Sequence, residues 1–286
     1  MHDFDAQAQA FSAQIEAELE EGRLNFPTAL DVSLRIKEVA DNPGSTLDEI
    51  AAVVRAEPVL SAKAVRMANA VQLNPYGNQI TTVNEAVKRI GLAALRCLAF
   101  AVAAEQLSQD HRSKGMRLIA SGLWMHSVDV ASWSYAFARH LRKVNPDTAM
   151  LAGMMVDIGQ FFLLARASAY PALEQNMDRF AEFVATWSDP VGRAILEVFE
   201  LPETVLDAYE YENPYGGSWP PADLADLVFV STLAAETPNP FDSALGIRRR
   251  PELLGNCIAG IDKDKFDALL DVAREGKQQL LDAIWR

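Results

Sequence analysis

The sequence predicts an all-α protein, because signals for helix starts recur along the chain and strand patterns are weak. Two capping boxes, Thr46–Glu49 and Thr82–Glu85, each precede a run with helical apolar periodicity. Asn145 and Pro146 pair a good N-cap residue with proline at the first helical position. No run of β-branched residues alternates with polar ones over more than a few positions. These observations together predict a multi-helical bundle.

The first half of the chain is predicted to form a leading helix and then a first helical lobe. The leading helix covers about residues 4–21 of a segment at 1–23, is rich in Ala and Gln, and is moderately amphipathic. After Pro58, apolar side chains recur at i, i+4, i+7, i+8 and i+11, which is one stripe on a helix. They are Leu60, Ala64, Met67, Ala68 and Val71. The helices predicted for this lobe cover about 27–41, 47–56, 58–73 and 83–107.

A polar stretch at 108–114 is predicted to link this lobe to a second one. A long helix at about 116–142 comes first, followed by a single helix at 146–164 and shorter helices up to Tyr211. Asp189 and Pro190 predict the start of one of the shorter helices. The core is therefore expected at 24–212, as two helical lobes of which the first ends near residue 107 and the second begins near residue 115.

The segment Asn213–Pro221 is the strongest loop signal in the chain, because it is rich in Gly and Pro. Further helices are predicted from about residue 222 to the C-terminus with a break at Thr237–Pro240, as an extension at 213–286 that packs on the core. Tyr215 and Trp219 lie in the loop, where burial is not automatic, and they are our candidate contact surface for a partner. The alternative is a loop that packs back onto the protein.

The composition favours a globular protein that does not bind nucleic acid. Half of the residues are apolar, and the net charge of −13 opposes association with a phosphate backbone. The N-terminus has neither the basic nor the apolar region of a signal peptide, so we expect a cytoplasmic protein with no membrane anchor. Cys97 and Cys257 each lie among apolar residues without a CxxC partner, which is typical of reduced, buried thiols.

The histidines of the chain are poorly placed for binding a metal. Those at positions 2 and 111 fall in a terminus and a linker, and His126 and His140 share a predicted helix. Fourteen residues of helix separate these two by about 21 Å, so they cannot bind one ion. His126 and Asp157 remain, with Asp129 one turn after His126. Our preferred interpretation is an internal hydrogen-bonded contact between His126 and Asp157, and a weak metal site is the alternative.

Six ordered segments resemble the motifs of a known family. They are Phe26–Leu30, Leu47–Ala51, Glu57–Ala70, Ile80–Leu92, Leu123–Ser127 and Ala149–Gly159. Together they resemble the HDOD family (HD-related output domain), a degenerate relative of the HD-superfamily metal-dependent phosphohydrolases. The resemblance covers about residues 24–212 and implies an HD-like helical bundle.

The resemblance implies a site in which a histidine, an adjacent His-Asp pair and a later aspartate hold a divalent metal. Such a metal lowers the pKa of bound water and neutralises phosphoryl charge. This chain departs from the pattern, because Val156 stands where the histidine of the pair belongs. Tyr211-Glu212 occupies a place where related chains often carry histidines, and Thr232 falls where the last aspartate belongs. We therefore predict no catalytic residues, no metal and no cofactor, with His126 and Asp157 as vestiges of the site.

Three functional hypotheses follow. The resemblance implies a regulatory role in bacterial signal transduction, and we expect a non-catalytic module that acts by protein–protein interaction with partners of a signalling pathway. A residual metal-dependent phosphohydrolase acting on a nucleotide or cyclic dinucleotide is one alternative. Binding of a small ligand in the old active-site cleft, without chemistry, is the other.

Overall fold

The computed structural model describes residues 2–24, 31–69, 79–109, 113–199, 201–209, 215–216, 219–247, 261 and 263–285. Within these ranges the regular structure is helical and no strand occurs, so the all-α prediction is confirmed. The helices are α1 (His2–Glu20), α2 (Asp31–Asp41), α3 (Leu47–Arg55), α4 (Pro58–Ala68), α5 (Val83–Gln109), α6 (Lys114–Leu141), α7 (Pro146–Met155), α8 (Ile158–Ala167), α9 (Met177–Val198), α10 (Glu203–Ala208), α11 (Leu224–Ala234), α12 (Pro240–Ala244) and α13 (Lys263–Trp285). A short 3₁₀ helix, Leu173–Gln175, precedes α9.

The helices of the first half begin where local sequence signals place them. At the start of α3, the Thr46 hydroxyl accepts a bond from the backbone N–H of Glu49, and the Glu49 carboxylate accepts one from the Thr46 N–H at 2.7 Å. The Asn69 side chain after α4 binds both backbone groups of Ile80, at 2.7 and 2.8 Å. This double contact fixes the approach of the chain to α5. Within α5, Gly91 adopts a φ of 77°, which interrupts the helical geometry and suits glycine.

Helix α6 forms the centre of the protein. Every residue from His126 to Ala138 is buried, so this part of the helix is covered on all sides. It packs against α5, α7, α11 and α13. Polar side chains on this stretch must therefore find partners inside the protein.

Two details of the predicted helices are wrong. The helix expected at 146–164 is two helices, α7 and α8, separated at Val156 and Asp157. The break lets α8 approach α9 so closely that a Cβ on Gly159 would lie 2.8 Å from the Ser188 carbonyl carbon. Pro190 lies inside α9 instead of starting a helix, and Asn176 provides the N-cap by accepting a bond from the Arg179 N–H at 3.2 Å.

Both terminal helices pack on the rest of the protein. On α1, the fully buried Phe11 stacks on Tyr170 and Phe183 at centroid distances of 4.7 and 5.1 Å. Glu18 pairs with Arg166 of α8, with 2.8 Å between Oε1 and Nη2. Helix α13 lies along α6 and also touches α4. The domain boundaries near residues 23 and 212 stay predictions.

One stretch of the described chain, Pro146–Ala167, is apolar and long enough to cross a membrane by length and composition alone. It consists of α7 and α8, and 78% of its most apolar window is buried inside the protein. These properties are typical of the core helices of a globular fold.

Candidate functional site

The structure brings the two predicted vestigial residues, His126 and Asp157, close together. His126 lies in the middle of α6, and Asp157 lies at the break between α7 and α8. The distance from His126 Nε2 to Asp157 Oδ2 is 3.8 Å, which is longer than a direct hydrogen bond. Both side chains are buried. The two residues are therefore neighbours, but each takes its short contacts elsewhere.

Both carboxylate oxygens of Asp157 accept hydrogen bonds from uncharged side chains. The Ser127 hydroxyl donates to Oδ2 at 2.7 Å, and the Asn239 amide donates to Oδ1 at 2.9 Å. Asn239 also donates to Gln160 Oε1 at 2.9 Å, and its own oxygen caps α12 by accepting from the Phe241 N–H at 2.9 Å. The Asn239 side chain thus connects the break after α7 with the start of α12.

His126 is oriented by the chain segment that follows α11. Its Nδ1 lies 2.7 Å from the Thr237 carbonyl oxygen. Because a carbonyl only accepts hydrogen bonds, Nδ1 must carry the proton, and in the neutral ring the lone pair is on Nε2. The segment itself is held by Asp129, whose Oδ2 accepts from the N–H groups of Glu236 and Thr237 at 2.7 and 2.8 Å.

A cleft of about 470 Å³ opens beside this polar cluster. His126 and Thr232 are among its lining residues, and the residues between α11 and α12 form much of its wall. The other lining residues are Ala235, Glu236, Thr237, Pro238, Asn239, Asp242, Ser243, Gly246 and Ile247. His126, although buried, thus contributes to the lining of an open cleft.

Val156, which by the resemblance stands where the histidine of the pair belongs, lies against apolar neighbours. It is half-buried and lines a small cavity together with Leu196, Val205 and Tyr209. Val228 of α11 is in the same cavity, one turn before Thr232 of the cleft. The side chain at position 156 therefore faces apolar surroundings, while His126 faces the cleft.

The residues present do not fit the divalent metal that the resemblance implies. Among the described residues, no three His, Cys, Asp or Glu side chains are grouped so that they could hold one ion. Asp129 is engaged by the backbone of Glu236 and Thr237 and by Lys277, 2.8 Å from its Oδ1. The Thr232 hydroxyl donates to the Phe229 carbonyl at 2.7 Å. His126 and Asp157 alone fall short of the ligand set of a catalytic metal site.

The candidate contact residues Tyr215 and Trp219 are both half-buried against the core. The Tyr215 ring lies 6.0 Å from that of Phe229, and the next N–H, of Gly216, donates to the Asp226 carboxylate at 2.9 Å. Burial, followed by the nearby carboxylates on α11 and its N-cap, raises the pKa of Tyr215 to about 12. These contacts agree with the alternative, in which the loop packs back onto the protein. A role of Tyr215 and Trp219 in binding partners stays a prediction.

Several predicted positions lie outside the described residues. They are His111, Tyr211, Glu212, Cys257 and the side chain of Cys97. Of the other histidines, His140 lies exposed in the last turn of α6.

Three residues of the cluster were not expected from the sequence: Ser127, Asn239 and Lys277. The pair Asn239-Pro240 does carry a local signal, because Asn before Pro is a typical helix start. That signal predicts the cap of α12 but not the bond to Asp157, which lies 82 positions earlier. Ser127 and Lys277 carry no local signal for their partners.

Comparisons with known proteins agree with this architecture. The family model described as HDOD domain matches residues 26–215. The chain is also 22% identical over 200 residues to an uncharacterized protein of Treponema pallidum (strain Nichols). That match covers 63% of this chain and 36% of the relative, so the chain spans about a third of the relative's length.

Solved structures share the fold over nearly the whole chain. A provisionally assigned metal-dependent phosphohydrolase of Shewanella amazonensis SB2B has a TM-score of 0.64 and 24% identity, covering 96% of this chain and 99% of that one. An HDOD domain protein of unknown function from Geobacter sulfurreducens has a TM-score of 0.56 and 22% identity, covering 96% and 98%. A provisionally assigned signal transduction protein of Marinobacter aquaeolei VT8 has a TM-score of 0.50 and 18% identity, covering 98% and 66%. At these identities the likeness shows the fold alone.

Proposed function

Because the chain belongs to the HDOD domain family, we propose that it is a non-catalytic regulatory module of bacterial signal transduction that acts by binding another protein. The observation that carries the proposal is the hydrogen bonding of the Asp157 carboxylate. Both of its oxygens accept hydrogen bonds from neutral donors, Ser127 and Asn239. Each of these bonds uses a lone pair that a metal would otherwise need, and this supports a structural role for Asp157.

The regulatory part of the proposal draws on the family and on a fold relative. The description of the Marinobacter aquaeolei protein names signal transduction. The description of the Shewanella amazonensis protein names phosphohydrolysis, and this supports the alternative of residual catalysis. Since a fold by itself does not determine activity, the choice between them depends on the site. Here Val156 and Thr232 stand at positions where the resemblance implies metal ligands, and this favours the regulatory alternative.

A protein partner is favoured by large apolar side chains left exposed on α6 and in the cleft. Leu118 and Met125, two turns apart on α6, are 65% and 50% exposed. Met125 directly precedes His126 of the cleft, and Ile247, 48% exposed, lines the cleft itself. Exposed large apolar groups close to a concave surface are typical of protein-binding sites. We further propose that the protein works in the cytoplasm, where its acidic surface would select against nucleic acid.

The first experiment tests for catalysis. The purified chain is incubated with Mn²⁺, Fe²⁺ or Zn²⁺, passed over a desalting column, and assayed for bound metal and for hydrolysis of bis(p-nitrophenyl) phosphate and a cyclic dinucleotide. We expect much less than one ion per chain and no hydrolysis above that of the His126→Gln variant. Stoichiometric metal, together with hydrolysis that His126→Gln abolishes, would overturn the proposal.

The second experiment tests for the partner surface. The wild-type chain and the Met125→Glu variant are used to capture proteins from the source bacterium, with Val272→Glu as the matched control. Val272 is 55% exposed on α13, so the control adds the same charge to an exposed apolar position on another helix. We expect one partner that the wild type and the control retain and that Met125→Glu loses. If Trp219→Ala loses the partner and Met125→Glu keeps it, the contact surface is the Tyr215–Trp219 loop instead.

A further inference from the structure

A buried lysine on the C-terminal helix lies on the face turned towards the core. Among the α13 side chains that the structure describes, the buried ones recur at i, i+3, i+7 and i+11, and they are Phe266, Leu269, Ala273 and Lys277. The first three are apolar, as expected for a helix that packs on a core. The fourth is a lysine with only 6% of its surface exposed. Lysine is almost never buried to this degree unless it is paired, so we expect Lys277 to have a buried partner of opposite charge.

Lys277 is paired with a buried carboxylate on α6. Its Nζ lies 2.8 Å from Asp129 Oδ1 and 4.6 Å from the centroid of the Trp133 ring. Asp129 is buried as well, whereas Glu236, 3.5 Å from the same ammonium group, is largely exposed. The pair therefore sits inside the contact between α13 and α6. There, the loss of one partner leaves an uncompensated buried charge.

The other oxygen of Asp129 holds the wall of the cleft. Asp129 Oδ2 accepts from the N–H groups of Glu236 and Thr237, and the Thr237 carbonyl accepts from His126 Nδ1. Glu236, Thr237 and His126 all line the cleft. A continuous series of short polar contacts thus runs from Lys277 through Asp129 to the cleft wall.

We propose that Lys277 is a positioning residue for the cleft, and that α13 regulates the cleft through it. When α13 is docked, the ammonium group keeps the Asp129 carboxylate aligned, and Asp129 fixes the segment at 235–239. When α13 moves away from α6, Asp129 loses its counter-charge, and the wall and the His126 ring lose their fixed arrangement. This proposal rests on the proposed function in one respect, because it treats the cleft as the surface that is regulated.

Hydrogen exchange on the full chain tests this coupling. In Lys277→Met we expect the amides of Glu236 and Thr237 to exchange about tenfold faster or more, because their bonds to a charge-compensated carboxylate weaken. Lys277→Arg keeps the cation and should restore protection at least in part. Arg274→Met is the matched control, since Arg274 is 61% exposed on the same helix one turn earlier. In Arg274→Met, the amides of Glu236 and Thr237 should exchange at the wild-type rate.

A second readout separates positioning from simple stability. The ¹⁵N shifts of the His126 ring report whether Nδ1 keeps its proton and its bond to Thr237. We expect them to move in Lys277→Met and to return towards wild type in Lys277→Arg. Unchanged exchange at Glu236 and Thr237 in Lys277→Met, or faster exchange confined to α13, would overturn the proposal. If Lys277→Met does not fold, Lys277→Gln gives the same comparison with a side chain that can still donate a hydrogen bond.

These measurements need no partner. A failure to capture a protein would count against the proposed function and leave the exchange result standing. Captured partners with unchanged exchange would count against the role of Lys277 alone.

Discussion

Replacing Gly159 with alanine should push apart two core helices at the point where α8 crosses α9. A Cβ at this position would lie 2.8 Å from the Ser188 carbonyl carbon and 3.0 Å from the Gly192 nitrogen, and closer still to the Ser188 oxygen. All three atoms belong to the backbone of α9, so no side chain can rotate away. Ordinary carbon contacts begin at about 3.5 Å, and the two helices must therefore shift relative to each other.

The cost can be bounded from the size of this clash. One extra methyl group in a well-packed core destabilises by about 1–3 kcal/mol, and the absence of a flexible neighbour puts Gly159→Ala at the upper end. The gain in helix propensity of up to about 1 kcal/mol offsets part of this cost. We expect a net loss of about 2 kcal/mol, which lowers the melting temperature of a chain of this size by about 4–8 °C.

The matched control is Gly122→Ala on α6. There a Cβ would lie 3.7 Å from the Pro240 ring, an ordinary contact, so only the propensity gain remains. Thermal unfolding followed by circular dichroism should show Gly159→Ala melting below the wild type and Gly122→Ala melting at or above it. If Gly159→Ala melts with the wild type, α8 and α9 do not cross as closely as described.

Three further predictions concern stability. Arg166→Met removes the cation that pairs with the buried Glu18 and should cost about 3 kcal/mol in urea unfolding, whereas Arg193→Met breaks an exposed pair and should cost less than about 0.5 kcal/mol. Equal losses would contradict the burial of the first pair. Gly276→Ala places a Cβ 3.7 Å from that of Ala136 and should stabilise the chain by up to about 1 kcal/mol; a lower melting temperature would argue against this packing of α13 on α6. The pKa of Tyr215 is raised to about 12 from an unfolded value of about 10, so its contribution to stability is complete below pH 10 and is lost as the pH rises to 12. Tyr215→Phe should lose less stability than the wild type over that interval in urea titrations, and an identical loss would refute the shift.

Much of the fold could be predicted because its signals are local. The capping box at Thr46 and the Asn-Pro start at Asn145 each depend on residues within one helical turn, and both caps form as expected. Pro190 shows where local signals fail. Apolar side chains on both sides of it, including Val184 and Val191, are buried in one continuous helix, and this packing outweighs the cost of proline within a helix.

The break between α7 and α8 could not be predicted for a related reason. The sequence from Met154 to Phe162 is mostly apolar and has no Pro, and Asp157 and Gly159 are its only local signals for a helix boundary. The contacts that accompany the break come from elsewhere in the chain: Gly159 packs closely against Ser188, and Ser127 and Asn239 donate to Asp157. A single sequence without known contacts does not contain that information.

The pairing of His126 with Asp157 is the most informative prediction about the site. The two side chains lie close together, but their positions are fixed by hydrogen bonds to other groups and not by a bond between them. Each has short contacts to neutral groups: Asp157 to Ser127 and Asn239, and His126 to a backbone carbonyl. A buried carboxylate with no ligand to bind must be satisfied internally, because leaving it unpaired costs several kcal/mol. Through these bonds Asp157, the residue before α8, connects α6 with the start of α12. For the same reason, Asp157→Ala should lower the free energy of unfolding clearly and leave the affinity for metal almost unchanged. Urea unfolding measures the first quantity, and metal titration of the same variant measures the second.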